Sequence, residues 1–204
     1  MRIWLTIAAM IMVVSACAPP PENEGLAPQY IDVDKQGPVS GAGIEGQDVV
    51  AMTDLMARDI LALPQISNVN DPPRIIVDSR FFSNEGTQRI NINVLTDRIR
   101  SNLIRNAKGK IRFVSRENVT AVEEEKQTKS AETTDTGVKP DQQLLGADYR
   151  ITGRISDITT KDSKGQVKKY NQILFELIDL TNSEIVWSNT YEFQKAAGDD
   201  VIYR

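Results

Sequence analysis

The chain has 204 residues, with 24 basic and 28 acidic side chains, one cysteine and no histidine. Its net charge of −4 gives no sign of the basic surface that nucleic-acid binding requires. The lack of histidine excludes Ser-His-Asp and Cys-His catalysis, and with them every histidine-ligated zinc site. An enzyme that works with carboxylates alone, such as a glycosidase, is not excluded on these grounds.

The amino terminus predicts a secretory signal over residues 1–16. Arg2 supplies a positive charge, and the almost wholly apolar residues 3–14 follow it. This run is shorter than the about 20 residues that a membrane-spanning helix needs, and it has the length of a signal-peptide core. The segment Val14-Ser15-Ala16-Cys17 resembles the lipobox of bacterial lipoproteins, in which the signal is cut before the cysteine.

The resemblance to a lipobox implies that Cys17 carries a diacylglycerol on its sulfur and a further acyl chain, such as palmitate, on its amine. Each buried CH₂ contributes about 0.8 kcal/mol, so several chains anchor a protein firmly. The alternative is an ordinary signal peptide with an incidental free thiol, a liability in an oxidising compartment. Ala18 and Pro19 stand where an aspartate would signal retention at the inner membrane. We therefore expect anchoring at the outer membrane, facing the periplasm.

Residues 17–45 predict a lipidated end and a flexible tether, and residues 46–204 predict one globular domain. Three prolines at 19–21 and several glycines between 25 and 46 favour an extended, solvated chain. The alternative is a stretch that packs loosely on the domain around Tyr30 and Ile31. A tether of about 28 residues spans about 30 Å on average and at most about 90 Å, which bounds the reach of the domain.

Two amphipathic helices are predicted in the first half of the domain. Apolar residues recur at three- and four-residue spacing over residues 47–61, and Pro64 prevents continuation. The same spacing predicts a second helix, which is capped by Asn91 or Asn93 and stops near Gly109.

Strands are predicted beside these helices. The β-branched run at residues 74–78 predicts a buried strand, and residues 79–90 predict a loop. Phe81 and Phe82 flank this loop, and we expect one in the core and the other as an exposed contact. Residues 111–114 predict another strand.

A more polar region precedes the last third of the chain. A helix is predicted over residues 117–127, and the acidic run 123–125 predicts a solvated helix face. Adjacent side chains on a helix point in different directions, so these three carboxylates are not expected to bind one metal ion together. Residues 128–139 predict a mobile loop, and residues 142–145 a short helix.

The last third of the chain predicts an antiparallel meander. Residues 149–159, 172–180 and 184–193 alternate at period two and are joined by short polar turns. The predicted fold class is α/β (α+β), with a single mixed sheet and helices packed on it. Arg150, Thr152 and Arg154 form a polar row on one strand face. If no helix covers that row, it is a candidate surface for an acidic partner; the alternative is a plain solvated face.

Two segments carry a family resemblance. Residues 144–149, Leu-Leu-Gly-Ala-Asp-Tyr, resemble the "GA-x-Y" segment of the lipoprotein activators of penicillin-binding proteins, the LpoB family. Residues 180–188 resemble its "tG-E-I-W-S" hairpin, and residues 95–103 and 111–115 fit its helix and strand. Similar elements occur in the curli-secretion lipoprotein and in the amino-terminal domain of TolB-like proteins, but their order in this chain favours LpoB.

This resemblance implies a TolB amino-terminal-domain-like fold that binds a noncatalytic domain of a bifunctional penicillin-binding protein. Binding would raise glycan polymerisation and crosslinking by that synthase, and so regulate cell-wall synthesis and cell shape. The resemblance implies a regulator without catalytic residues, cofactor, metal or small-molecule substrate. The alternative is a structural lipoprotein of a secretion or surface-assembly apparatus, because the curli lipoprotein shares motifs. For a carboxylate-dependent glycan hydrolase, no paired carboxylates stand out from the other acids.

Overall fold

The computed structural model describes residues 30, 32–35, 37–131 and 144–198. The predicted signal peptide, Cys17, most of the predicted tether and residues 132–143 lie outside this part of the chain. The chain divides into residues 1–32 and 33–204, and every helix and strand described belongs to the second unit. Within the described ranges, each helix is too short or too polar to cross a membrane.

The described residues form four helices and five strands. The helices are α1 (Gly46–Ala62), α2 (Pro64–Ser67), α3 (Ile92–Ala107) and α4 (Val119–Ala131). The strands are β1 (Arg74–Asn84), β2 (Arg112–Phe113), β3 (Tyr149–Lys161), β4 (Val167–Asp179) and β5 (Ile185–Ala197). Asn91 caps α3, since its side chain accepts a hydrogen bond from the backbone N–H of Asn93 at 3.0 Å.

The five strands form one mixed sheet in the order β2-β1-β3-β4-β5. β1 runs parallel to both β2 and β3, whereas β3, β4 and β5 pair antiparallel in sequence order. The predicted meander and the predicted fold class are therefore confirmed. β3 is the central strand, which places its side chains at the middle of both sheet faces.

The core lies between one face of the sheet and the helices α1 and α3. Every second residue of β3 and β4 points into it, including Ile151, Ile173 and Phe175, as the period-two pattern predicts. Trp187 and Tyr191 of β5 are partly buried against this core. The helices add these buried residues: Met52, Met56, Ile60, Leu95, Ile99 and Leu103.

β1 is longer than the sequence indicates, and the prediction of a loop from residue 79 is wrong for its first part. The strand continues to Asn84, and Phe82 pairs with Gly153 of β3. A register shift lies between Val77 and Phe82, so four residues of β1 stand opposite the single Thr152. This bulge interrupts the alternation that sequence patterns detect.

Residues that directly precede α1 also pack on the domain. Ala42 and Ile44 are buried, and Ile44 belongs to the core. The Asn171 side chain donates to the Ala42 carbonyl at 3.1 Å, and the Ile44 N–H donates to the Gln88 side chain at 2.8 Å. These residues fall in the predicted tether, and among the described residues burial begins at Gly41.

Candidate partner-binding face

The sheet face opposite the core carries Arg150, Thr152 and Arg154. Their neighbours Ile151 and Ile155 point into the core, so the alternation of β3 turns the three polar side chains the other way. Both α1 and α3 contribute to the core on the covered side, which leaves the described part of this face without a helix layer. We call it the open face, defined by these exposed or half-buried residues: Phe81, Ser83, Arg150, Thr152, Arg154, Leu174 and Glu176.

Phe81 is the exposed aromatic residue of the open face. The residue is 38% exposed, and the guanidinium carbon of Arg150 stands 3.7 Å from the ring centroid. This is a close cation–π contact, which places the guanidinium over the ring. Nε of Arg150 is buried and has no hydrogen-bond partner among the described residues. The stacked guanidinium therefore keeps an unused donor.

The bulge in β1 decides which of the two phenylalanines is exposed. Phe82 turns into the core and meets Phe175 edge-on, with 6.5 Å between the ring centroids. Gly153 makes room for it, since a Cβ on Gly153 would lie 2.5 Å from a Phe82 ring carbon. Phe81, the preceding residue, is consequently left on the open face.

An ion pair stabilises the bulge from within. Asp78 is only 3% exposed and accepts hydrogen bonds from Arg80, at 3.0 Å from Nε and 2.5 Å from Nη2. It also accepts the backbone N–H of Arg80 at 3.0 Å. The hydrogen bond from the Arg80 side chain lowers the pKa of Asp78, and the charge of Arg150 acts in the same direction. The carboxylate is therefore ionised and leaves Arg80, 68% exposed, at the rim of the face.

A shallow recess of about 370 Å³ lies beside Phe81 on the open face. Thr152 stands opposite Glu176 in the ladder, and Arg154 stands opposite Leu174. The recess thus combines one arginine, Arg154, with two carboxylates, Glu85 and Glu176, and an apolar edge. Such a surface suits a protein side chain, since arginine and aromatic residues are common anchors in protein interfaces.

Among the described residues, no group of three or more His, Cys, Asp or Glu side chains could hold a metal.

The sequence predicts part of this surface. Period-two alternation puts Arg150, Thr152 and Arg154 on one face, and the structure places them there; their role in binding stays a prediction. Phe81 is the exposed member of the phenylalanine pair. Sequence reasoning missed Arg80, whose only local signal is the Asp-x-Arg spacing within β1.

Comparisons with known proteins point to one family. A family model described as "Peptidoglycan-synthase activator LpoB" matches residues 48–193. Comparison with curated proteins gives no match.

Solved structures that are similar to this chain include the following three. The LpoB C-terminal domain from Escherichia coli is 16% identical, with a TM-score of 0.44, over 72% of this chain and 98% of that one. The LpoB C-terminal domain from Salmonella enterica is 21% identical, with a TM-score of 0.39, over 70% and 96%. Lipoprotein GNA1162 from Neisseria meningitidis is 17% identical, with a TM-score of 0.32, over 62% and 85%.

Proposed function

Because this chain belongs to the LpoB family of peptidoglycan-synthase activators, we propose that it binds a bifunctional penicillin-binding protein and activates it from the outer membrane. The observation that carries the proposal is the family match over residues 48–193, which covers four strands completely, α1 from its third residue, and β5 up to Phe193. In this proposal Cys17 holds the lipid anchor, the following residues form the tether, and the domain faces the periplasm.

The open face is our proposed docking surface for the synthase. Phe81 offers an apolar anchor, and Arg150 and Arg154 offer charged donors on the same face. A carboxylate on the partner would pair with the half-buried guanidinium group of Arg150 or the exposed one of Arg154. Complementary charge of this kind contributes mainly to the association rate and to the choice of partner.

An activator of this kind needs no chemistry of its own. A protein that binds the active conformation of its target more tightly than the inactive one shifts the target toward activity. Each tenfold shift in that equilibrium requires about 1.4 kcal/mol of differential binding, which a few interface contacts supply. This mechanism does not use a catalytic residue, a metal or a cofactor.

The direct test is glycan-strand polymerisation by purified bifunctional synthases of the host. The chain from residue 18 onward, which lacks Cys17, is added at increasing concentration, and heat-unfolded protein serves as the control. We expect saturable stimulation of at least one synthase, because a specific docking site fills at a defined concentration. If no bifunctional synthase is bound or stimulated, the proposed function is wrong.

A further inference from the structure

A second recess of about 440 Å³ lies between α1 and α3, on the helical side of the molecule. It contains three arginines and two aspartates, and so carries a net positive charge. The residues that matter for its chemistry are Asp34, Asp54, Arg58, Arg98, Asn102 and Arg105. We call it the arginine groove.

A buried amide organises the floor of the arginine groove. Asn102 is only 1% exposed, and its side-chain N–H donates to a carboxylate oxygen of Asp54. Its carbonyl oxygen accepts from Arg105 at 3.2 Å and from Asn106 at 2.7 Å. The side chains of both helices are thereby positioned before any ligand arrives, which lowers the ordering cost of binding.

Arg98 already holds a carboxylate, but incompletely. Its Nη2 donates to Oδ1 of Asp34 at 3.1 Å, and the Asp34 side chain is 70% exposed. The neighbouring Nε is buried and has no hydrogen-bond partner among the residues that the structure describes. Nε and Nη2 form one fork that matches the two oxygens of a carboxylate.

Arg80 in the same domain shows this fork in its filled state. There, Nε lies 3.0 Å from both oxygens of Asp78, and Nη2 lies 2.5 Å from one of them. By comparison, the fork of Arg98 is half used. A buried donor without a partner costs free energy, so a carboxylate that reaches both nitrogens of Arg98 gains over Asp34.

We propose that the arginine groove binds a carboxylate side chain of an acidic peptide, and that Asp34 is its occupant in the free protein. Val33 and Asp34 lie in a turn, and the Asp34 carboxylate already meets Arg98, so the structure displays the class of ligand. Because Asp34 is tethered, it competes with a second peptide and reduces the apparent affinity. The inference is independent of the synthase partner.

The test uses NMR titration of the isotope-labelled chain from residue 18 onward. The probe is a capped synthetic peptide that copies residues 32–36, Asp-Val-Asp-Lys-Gln, and the side-chain N–H signals of Arg98 and Asn102 report binding. The peptide is added up to about 5 mM, the range of effective concentration at which a linked segment competes. We expect Asp34→Asn to raise the affinity for the probe at least threefold over the original chain.

Two controls make the assignment specific. A probe with asparagine in place of its second aspartate should bind the Asp34→Asn chain at least tenfold more weakly. Adding Arg98→Gln should abolish the shifts, whereas Arg89→Gln, at an exposed site outside the groove, should retain them. The thermal unfolding of each variant verifies the fold. Shifts absent from the Asp34→Asn chain, equal binding of both probes, or binding that survives Arg98→Gln would each overturn the proposal.

Discussion

At the scale of single residues, the open face depends on a glycine that the sequence shows only as a small residue within a strand. Gly153 leaves space for the Phe82 ring, and Phe82 in the core leaves Phe81 outside. The contact between Phe82 and Gly153, which lie 71 positions apart in the chain, therefore decides which phenylalanine is exposed. Periodicity within β1 does not contain that information, because the bulge changes which residues share a face.

Gly153→Ala tests this contact. The added Cβ would lie 2.5 Å from the Phe82 ring, so we expect a loss of about 1 to 3 kcal/mol in the free energy of unfolding, measured in urea. Gly146→Ala is the matched control, because a Cβ there meets no atom within 4 Å. Equal stability of the two variants would mean that Phe82 repacks without cost.

The contribution of Asp78 to the free energy of unfolding depends on pH. The Arg80 side chain lowers the pKa of Asp78 below its ordinary value, so the ionised carboxylate stabilises the folded state above that ordinary value. The contribution is lost as the pH falls through the lower, folded-state pKa. We expect Asp78→Asn to reduce the free energy of unfolding by about 1 to 2 kcal/mol at pH 7.

The difference between Asp78→Asn and the original chain should shrink as the pH falls below about 4, where the unfolded-state carboxyl takes up its proton. Urea unfolding at a series of pH values measures this difference, and Glu85→Gln, at an exposed position, is the control. A difference that is constant down to pH 2.5, or that grows on acidification, would contradict the role given to the ion pair.

At the scale of elements, the sequence predicts local patterns well and long-range pairings poorly. The stripes of α1 and α3 and the alternation of β3 to β5 are local, and each of these elements is present. The extension of β1 to Asn84 depends on pairing with β3, which no local pattern reports. The burial of Ile44 likewise depends on Gln88 and Asn171, distant residues that hold its segment.

The start of α1 shows how that segment contributes. The side chains of Glu45 and Asp48 form a capping box. Nζ of Lys195, on β5, lies 2.5 Å from Oδ2 of Asp48. Burial opposes ionisation of Glu45, but hydrogen bonds from Ser40, Gln47 and Gly41, with the charge of Lys195, outweigh it and lower its pKa. The cap of α1 is thus linked to β5 through residues that precede the helix.

Truncation tests how much the segment that precedes α1 contributes to stability. We expect a chain that starts at Gly46 to lose about 2 to 4 kcal/mol relative to one that starts at Gly37, because it lacks buried Ile44 and the Glu45 cap. Chemical unfolding of the two chains gives the difference directly. Equal stability would show that residues 37–45 contribute nothing to the domain.

At the scale of the whole molecule, the proposed function joins a lipid anchor to a binding domain. Cys17→Ala in the full precursor should abolish incorporation of labelled palmitate and move the protein out of the membrane fraction, because no other cysteine is present to take a lipid thioether. Metabolic labelling and fractionation in the bacterial host measure both effects, with Ser188→Ala, on β5, as the control. Labelling retained in Cys17→Ala would contradict the proposed anchor.

The proposed docking of the synthase on the open face can be tested directly. The test measures the dissociation constant of the complex between the synthase and the chain from residue 18 onward. The original chain is compared with the double variant Arg150→Glu and Arg154→Glu. We expect affinity to fall at least tenfold, about 1.4 kcal/mol, since reversed charges repel an acidic partner surface. Thermal unfolding of the variant verifies the fold, because Arg150 also contacts Phe81 and its charge acts on Asp78.

The matched control reverses two charges that lie outside the open face and the arginine groove, at Lys108 and Lys110, which are both exposed. That variant should bind with unchanged affinity. Unchanged affinity after reversal of Arg150 and Arg154, or an equal loss in both double variants, would contradict the open face as the docking surface.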